Sequence, residues 1–326
     1  MIDWLTSLFD AAQSGLFEQL VQPVLYALGL SVYAEDAFDG TAWFLYGAFE
    51  IALLFAILRP LESWRPVEAW NNRRGVRVDV LYTLLDRLGV LPLALFFLLT
   101  PAMLSVEGWL RLHGVIPGNL EDWLPWLLGA PLASFLLYVV VLDFAEYWRH
   151  RLQHRFAAWW ALHSLHHSQR KMSFWSDNRN HLLDEALASL WTAGIALLIG
   201  VPPAQFALIV VLGRMLESLA HANLRFSFGG AERLLVSPRF HRVHHAIGLG
   251  HEGEHRGCNF AVLFPIWDVL FGTANFGHVY PATGVRDQLD GRDYGSGFWR
   301  QQWLGLTRLV EALLPKQFNR RRLSAD

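Results

Sequence analysis

Histidine is concentrated in three short sets along the chain, at spacings that suit the binding of metal ions. The segment HRLQHRFAAWWALHSLHHS, residues 150–168, contains His150, His154, His163, His166 and His167, and the segment SPRFHRVHH contains His241, His244 and His245. Residues three or four positions apart share one face of a helix, so we expect each set to direct its imidazoles to one side. Neutral imidazole is a common metal ligand, and ordinary hydrogen bonding does not require this spacing to recur. The three sets therefore predict a metal centre.

Two further histidines are candidate ligands, His221 in LESLAHANL and His181 in NRNHLLDE. Eight or more imidazoles exceed the four ligands of a tetrahedral zinc site, so the sequence favours two metal ions. Imidazole binds zinc, copper, iron and nickel, which leaves the metal open at this point. The single cysteine, Cys258, excludes disulfides within the chain, cysteine-rich zinc sites and cysteine-bound iron–sulfur clusters.

Apolar helices must position these histidines. Hydrophobic residues make up 53% of the chain and charged residues 17%, below the roughly 25% charged residues of typical soluble domains. Apolar runs at 41–58, 80–100 and 124–148 reach or approach the roughly 20 residues that cross a bilayer. Two shorter runs, 186–200 and 204–220, could be two spans or one re-entrant hairpin. We predict an all-α integral membrane bundle, with about four spans or with three spans and a re-entrant hairpin, and a histidine-rich helical cap that holds two metals.

These patterns divide the chain into six regions. We expect interfacial helices at 1–40, transmembrane helices at 41–148, the first two histidine sets at 149–185, a membrane hairpin at 186–220, the third histidine set with the rest of the cap at 221–278, and a C-terminal tail at 279–326.

The charges of the loops predict the orientation of the bundle. The loop after the first span carries Arg59, Arg65, Arg73, Arg74 and Arg77, whereas the loop after the second span has one arginine and three acidic residues. Because arginine-rich loops remain in the cytoplasm, every histidine set is predicted on the cytoplasmic side. The short loops favour a bacterial inner membrane. The net charge of −2 does not indicate a nucleic-acid partner.

Several segments around the histidines resemble one known family. The segments are DFAEYWRHRLQHRFAAWWALHSLHHS, NRNHLLDE, HANLRF, SPRFHRVHH and CNFAVLFPIWDVLFGT. In order and spacing they resemble the fatty acid hydroxylase superfamily, also called the sterol desaturase family, over about 143–273. The chain departs from the family pattern at Leu182, where proline is common, and at Phe260, where the pattern often has Tyr-Gly. Neither departure removes a candidate ligand.

The resemblance implies a membrane-bound di-iron oxidoreductase that uses O2 to hydroxylate or desaturate a lipid. The two irons would be the only cofactors, and no catalytic residue is expected beyond the metal ligands. The sequence has no cysteine set for an iron–sulfur cluster and no evident flavin or nicotinamide domain, so the electrons are expected from a separate reductase or a ferredoxin-type carrier.

Five acidic residues lie at helical spacing from the histidines or among aromatic residues near them. These are Asp143, Glu146, Asp184, Glu217 and Asp268. Carboxylates often accept a hydrogen bond from the second ring nitrogen of a metal-bound histidine, so we expect these side chains to orient the ligands. The alternative is that they are ordinary helix charges at the edge of the membrane.

The sequence leaves the reaction and the substrate open. A hydroxylase would add an oxygen atom to an acyl, sterol-like or ornithine-type lipid, and a desaturase on the same scaffold would remove two hydrogens instead. A membrane protein that binds metal or handles lipid without catalysis would hold metal and consume no O2. A zinc hydrolase would need only one three-ligand site, so one of the histidine sets would be dispensable.

Overall fold

The regular secondary structure of the described residues is almost entirely α-helical. The computed structural model describes residues 2–69, 75–116 and 118–314. The helices are α1 (Ile2–Leu16), α2 (Gln22–Ala27), α3 (Ala34–Trp64), α4 (Val76–Arg87), α5 (Val90–Leu112), α6 (Leu120–Trp123), α7 (Pro131–Arg155), α8 (Ala157–His167), α9 (Leu182–Leu198), α10 (Pro203–His221), α11 (Pro238–His244), α12 (Ile266–Leu270) and α13 (Phe298–Leu313). Within these ranges the only β pairing is an isolated bridge between Ala246 and Thr283. The predicted all-α class is confirmed.

In the described part of the chain, four helical segments are long and apolar enough to cross a membrane. They are Ser31–Trp64, Val90–Leu112, Pro131–Arg155 and Pro203–His221. Their outward faces carry exposed leucine, phenylalanine and tryptophan side chains, such as Phe49, Phe96 and Leu132. Since a bilayer solvates apolar side chains that water would not, this surface fits a membrane bundle. Of the arginines that predicted the orientation, Arg73 and Arg74 lie outside the described residues.

The segment predicted as a single span at 80–100 is two helices. Helix α4 ends at Arg87, and Gly89, with φ of 84°, turns the chain into α5. Helix α4 is polar on one side, where Asp79 and Arg87 are buried, so it cannot continue as an apolar span. At the same place α3 approaches so closely that a side chain on Gly47 would overlap the carbonyl of Arg87. The apolar span therefore begins ten residues later than the sequence indicated.

Helices α9 and α10 form a pair that carries the chain away from the histidine-bearing end of the bundle and back to it. Helix α9 begins beside α7 and α8, where Asp184 contacts His163. It ends at the opposite end of the bundle, where Tyr138 donates to the carbonyl of Gly200 at 3.3 Å. With 17 residues, α9 is about 25 Å long, slightly less than the roughly 30 Å of a hydrocarbon core. Helix α10 then runs back and ends at His221.

A buried arginine joins three of these helices below the histidines. Arg87 on α4 donates to Glu50 on α3, to Asp177 at 2.9 Å, and to Ser218 on α10 at 2.7 Å. It also donates to the carbonyl of Arg214 at 3.0 Å. The guanidinium group has the five donors needed for several partners at once, and its carboxylate partners neutralise its charge. This network fixes the mutual positions of α3, α4 and α10.

Much of the C-terminal segment belongs to the cap and is not a separate tail. Helix α13 packs along α8, and Arg308 donates to the carbonyl of Ala161 at 3.2 Å. Gln302 accepts from the backbone N–H of Leu182 at 2.8 Å and donates to Tyr82 at 2.9 Å. Residues 279–314 therefore hold the first turn of α9 and the histidine-bearing helix α8. The last part of the predicted tail, 315–326, lies outside the described residues.

The two ends of the bundle should be reachable from opposite sides of the membrane. His113 follows α5 at one end and is exposed, while Glu254 is exposed beside the histidine sets at the other end. With Cys258 replaced by serine, we expect a membrane-impermeant thiol reagent to label His113→Cys in intact cells. We expect it to label Glu254→Cys only after permeabilisation. Labelling of both positions in intact cells would contradict a cytoplasmic location of the histidines.

Removing Arg87 should destabilise the bundle strongly. The Arg87→Ala change leaves Glu50 and Asp177 buried without their cation, which costs about 3–5 kcal/mol. The midpoint of thermal unfolding in detergent, followed by tryptophan fluorescence, should fall clearly. Arg111→Ala is the control, since Arg111 pairs with Glu107 on the surface and such a pair contributes about 0–1 kcal/mol. Equal midpoints for the two variants would show that the Arg87 network does not hold the helices together.

Candidate metal centre

Nine buried histidines form two adjoining groups. The first group contains His150, His154, His163, His167 and His244, and the second contains His166, His221, His241 and His245. Within each group, one nitrogen from every ring lies within 4.8 Å of all the others. Each of the nine residues is at most 7% exposed. The structure therefore brings together all eight clustered histidines and His221.

Four helices supply these rings, and each repeated His-x-x-His-His motif is divided between the two groups. In α8, His163 and His167 face the first group, while His166 faces the second. Next to α11 the division is reversed, because His241 and His245 face the second group and His244 faces the first. Successive residues of a helix point about 100° apart, so adjacent histidines cannot face the same metal. The expectation that each motif converges as one set is therefore wrong.

Ring nitrogens approach one another at distances that fit coordination of a common cation. In the first group, Nε2 of His167 lies 3.2 Å from Nε2 of His154 and 3.1 Å from Nε2 of His244. In the second group, Nε2 of His221 lies 3.1 Å from that of His166 and 3.0 Å from that of His241. Two nitrogens bound at right angles to one metal at about 2.1 Å lie about 3 Å apart. The donor sets therefore fit two metal ions.

The histidines in the cap are held in the neutral form that metal binding requires. Burial lowers the pKa of His166, His167, His241 and His245 well below the ordinary value, and the neighbouring imidazoles lower it further. Burial also lowers the pKa of His244 to about 3. Unprotonated nitrogens that face one another present lone pairs to the same point, which is unfavourable unless a cation lies between them.

Five of the nine rings are oriented through the nitrogen that faces away from the site. Nδ1 of His163 donates to Asp184 at 3.0 Å. The other four Nδ1 atoms contact backbone carbonyls: His150 contacts Phe260 at 2.8 Å, His244 contacts Cys258 at 2.8 Å, His154 contacts Arg256 at 3.2 Å, and His221 contacts Glu217 at 2.8 Å. Such hydrogen bonds fix the tautomer and leave Nε2 free to bind a metal.

Asp184 is the one predicted carboxylate whose side chain contacts a clustered histidine in the described part of the chain. Besides His163, it accepts from Gln153 Nε2 and from Trp159 Nε1, both at 2.8 Å. Burial raises the pKa of this carboxyl group, but the hydrogen bond and the charge interaction with His163 lower it, and the net direction is downward. Asp184 therefore stays ionised and ties α7, α8 and α9 together at the metal centre.

Asp143 and Asp268 act on the ligands through a loop. Asp268 accepts from the backbone N–H groups of Phe260 and Ala261 at 2.9 and 2.8 Å, and Asp143 accepts from those of Leu263 and Phe264 at 2.8 and 3.0 Å. The same loop supplies the carbonyls that hold His150 and His244. Burial raises the pKa of Asp268 to about 6, although hydrogen bonds from Thr273 and the backbone oppose the rise.

The other two predicted carboxylates are placed differently. Glu146 pairs with Arg149 at 2.6 Å and accepts from Thr192 at 2.6 Å. It is therefore an ordinary helix charge, the alternative to a group that orients a histidine. Glu217 holds His221 through its backbone carbonyl and not through its carboxylate. The carbonyls that orient the histidines could not be predicted from the sequence, because every residue has one.

His181 does not join either group. It is the N-cap of α9, where its Nδ1 accepts from the backbone N–H of Leu183 at 3.1 Å and its Nε2 donates to the carbonyl of Gln302 at 2.9 Å. Both ring nitrogens are therefore engaged away from the metal centre. His251 stacks on Trp160 at 5.2 Å and lies 6.1 Å from His167, between ring centroids, but it is likewise outside both groups.

A large cavity leads from the histidines into the apolar part of the bundle. Its volume is about 1010 Å³, which is enough for a lipid chain. Five of the nine histidines line one end: His150, His163, His166, His221 and His241. Apolar residues of α3 and α5, including Phe44, Leu93, Phe96 and Met103, line the other part. The arrangement can place a lipid C–H bond next to two metal ions.

Comparison with known proteins agrees with this description. The sequence model of the family described as Fatty acid hydroxylase matches residues 135–273, which include all nine clustered histidines. Human alkylglycerol monooxygenase is 31% identical over 153 residues, which are 46% of this chain and 32% of that protein. The ornithine lipid hydroxylase OlsE of Rhizobium tropici is 28% identical over 267 residues, which are 78% of this chain and 74% of that protein.

The similarity extends to a protein with a different printed activity. The very-long-chain aldehyde decarbonylase GL1-10 of Oryza sativa subsp. japonica is 29% identical over 160 residues, which are 45% of this chain and 48% of that protein. The chain thus spans about a third of the length of the human relative and about three quarters of that of OlsE. No solved structure matches the chain.

Metal analysis should distinguish the two groups from the histidine outside them. We expect one ion per group, so the protein from metal-replete cells should contain two per chain. His221→Ala reduces the second group to three ligands and should lose most of one ion. His181→Ala should keep both ions, because the ring serves as a helix cap. Equal loss of metal in both variants, measured by elemental analysis at matched folding, would contradict the assignment of ligands.

Proposed function

Since residues 135–273 form a fatty acid hydroxylase domain, we propose that this protein is a membrane-bound di-iron enzyme that uses O2 to hydroxylate a C–H bond of a lipid. One observation carries the proposal: nine buried imidazoles form two groups, and members of both groups line the end of a cavity that continues between apolar helices. A metal-storage protein has no need of this cavity, and a lipid carrier has no need of the imidazoles. Their combination suits metal-dependent chemistry on a lipid.

Iron is the metal that fits the reaction best. The described ligand groups contain only histidine, and imidazole binds several transition metals, so the ligands alone do not select one. Zinc has no redox chemistry and could not activate O2. The named activities of alkylglycerol monooxygenase and the ornithine lipid hydroxylase also require O2 chemistry that a redox-active metal supplies. We therefore assign iron to both groups.

When bound, the iron pair supplies O2 activation: one oxygen atom enters the C–H bond, and two electrons and two protons convert the other to water. The chain provides the conditions for this chemistry. The neutral rings present their nitrogens, Asp184 and the loop carbonyls keep His163, His150 and His244 in place, and the buried setting excludes water. The apolar part of the cavity holds the lipid chain, so the C–H bond is presented from the membrane side.

The electrons must reach the centre from another protein. The sequence has no cysteine cluster, and its Gly-x-Gly-x-x-Gly match at 248–253 lies in a loop and not between a strand and a helix, so a separate reductase or a ferredoxin-type carrier is the proposed donor. The arginine-rich first loop supports a cytoplasmic position for the metal centre and, with the short loops, a bacterial inner membrane. A cytoplasmic donor could reach the cap directly from that side.

The relatives narrow the candidate substrates. Their names point to an ether-linked lipid for one relative and to an ornithine lipid for the other, and we propose a polar membrane lipid of this kind for the present chain. The longer match to the ornithine lipid hydroxylase favours the second.

Lipid analysis of cells that express the protein tests this function. The wild type should convert one lipid species into a product that is heavier by one oxygen atom, and isotopically labelled O2 should label that product. His166→Ala removes a ligand and should abolish the product, while His113→Ala, which changes a residue at the far end of the bundle, should have no effect. A product lighter by two hydrogens would identify a desaturase, and no product in the wild type would oppose both reactions.

A further inference from the structure

Carboxylates outnumber cations in the middle of the cavity, between the histidines and the apolar part. Most of these carboxylates are neutralised inside the bundle. Asp177 pairs with Arg87 at 2.9 Å, and Asp86 pairs with Arg214 at 3.2 Å. The pair of Glu146 with Arg149 is described above, and Asp184 accepts three hydrogen bonds, from His163, Gln153 and Trp159. These groups have their partners already and need no ligand.

Among the lining carboxylates without such a partner, Asp36 and Asp39 are exposed near the start of α3, whereas Glu185 and Glu217 are partly buried. Glu185 on α9 and Glu217 on α10 both line the cavity, and no ion pair joins either of them to an arginine or lysine within the described residues. Glu185 accepts one hydrogen bond, from Asn180 at 3.2 Å. Two carboxylates that are partly withdrawn from water are unfavourable without a cation, the more so because the charge of Glu217 raises the pKa of Glu185.

The pKa of Glu185 is raised, as expected for a carboxyl group without a cationic partner. Burial raises the pKa of its carboxyl group to about 8, and the charges of Asp86 and Asp184 raise it further. Arg149 opposes the rise, while the nearby charge of Glu217 adds to it. A positively charged group that entered the cavity would reverse this shift and restore both charges.

An independent feature of the cavity also calls for a hydrogen-bond donor. Gln153 is 1% exposed and lines the cavity. Its Nε2 is fixed by the hydrogen bond to Asp184 at 2.8 Å, whereas its Oε1 has no partner in the described structure. Because Asp184 determines the orientation of the amide, the unpartnered atom is an acceptor and not a donor. A buried acceptor of this kind is normally paired.

We propose that Glu185, Glu217 and Gln153 Oε1 bind the protonated amine of a lipid head group. The proposal rests on the lipid hydroxylase function and names the class of its substrate. A primary ammonium group has three N–H donors and no acceptor, which matches two carboxylates and one amide oxygen. The same carboxylates disfavour a head group that ends in a phosphate or sulfate. A neutral hydroxyl would offer a hydrogen bond but no positive charge for the two carboxylates.

The location of these groups gives the lipid a direction in the cavity. Glu217 precedes His221 by four residues on α10, so the two side chains lie on the same face, one turn apart. Gln153 lies between the ligands His150 and His154 on α7. The amine therefore binds between the histidines and the apolar part, and the acyl chains extend past Leu93 and Phe96 of α5.

Binding without turnover tests this inference separately from the hydroxylase function. The metal-loaded protein in a neutral maltoside detergent, without O2 or reductant, is titrated with hexadecylamine, with N-acetylhexadecylamine and with ethylamine. We expect hexadecylamine to bind about tenfold or more tightly than the acetylated probe, since only the ammonium group can pair with the carboxylates. Ethylamine should bind far more weakly, because it has no chain for the apolar part.

Matched variants identify the groups responsible. The Glu185→Gln/Glu217→Gln double variant keeps the shape of both side chains and should reduce the preference to within about twofold. Glu107→Gln, a surface acid paired with Arg111, should retain the full preference. Equal binding of the two long-chain probes by the wild type, or an unchanged preference in the double variant, would overturn the proposal. So would ethylamine binding as tightly as hexadecylamine. The comparison of probes on the wild type does not depend on the folding of any variant.

Discussion

The close approach of nine buried imidazoles is the constraint on which the rest of the structure depends. Their Nε2 atoms meet at 3.0–3.2 Å, an arrangement that only a cation between the rings makes favourable. Without a metal, the rings would turn apart unless something held them. Five of the rings are held at Nδ1, the nitrogen that faces away from the site, by Asp184 and by the carbonyls of Arg256, Cys258, Phe260 and Glu217. These contacts fix the positions of the rings at the metal sites.

The helices follow from this requirement. The ligands come from α7, α8, α10 and the α11 turn, so the ends of these elements must meet on one side of the bundle. The α9–α10 pair makes this possible, because it carries the chain away from the site after α8 and back to His221. Arg87 holds the same end of the bundle together from below through Glu50, Asp177 and Ser218. The metal centre therefore rests on a second polar core that contains no metal ligand.

The cavity connects the chemistry with the membrane. Its walls change in order from imidazoles, through carboxylates and arginines, to leucine and phenylalanine side chains. An amphipathic molecule fits this gradient better than a purely apolar one, because each part of it meets an environment of its own polarity. The unpaired Glu185 and Glu217 make the polar middle of the gradient selective for a cation. Substrate selection and metal binding are linked through α9 and α10, which carry groups for both.

The sequence by itself determined the residue types and the local spacing. It predicted the nine clustered histidines, two metals, an all-α bundle and its main apolar spans, because helical periodicity and segment length are local properties. Tertiary structure decided which ring joins which group, because His167 and His244 meet across 77 positions of the chain. It also decided that His181 caps a helix and does not join the metal centre, and that the segment predicted as one span at 80–100 is two helices separated at Gly89. These outcomes depend on partners distant in sequence, such as Gln302 and Asp177, whose positions no local pattern specifies.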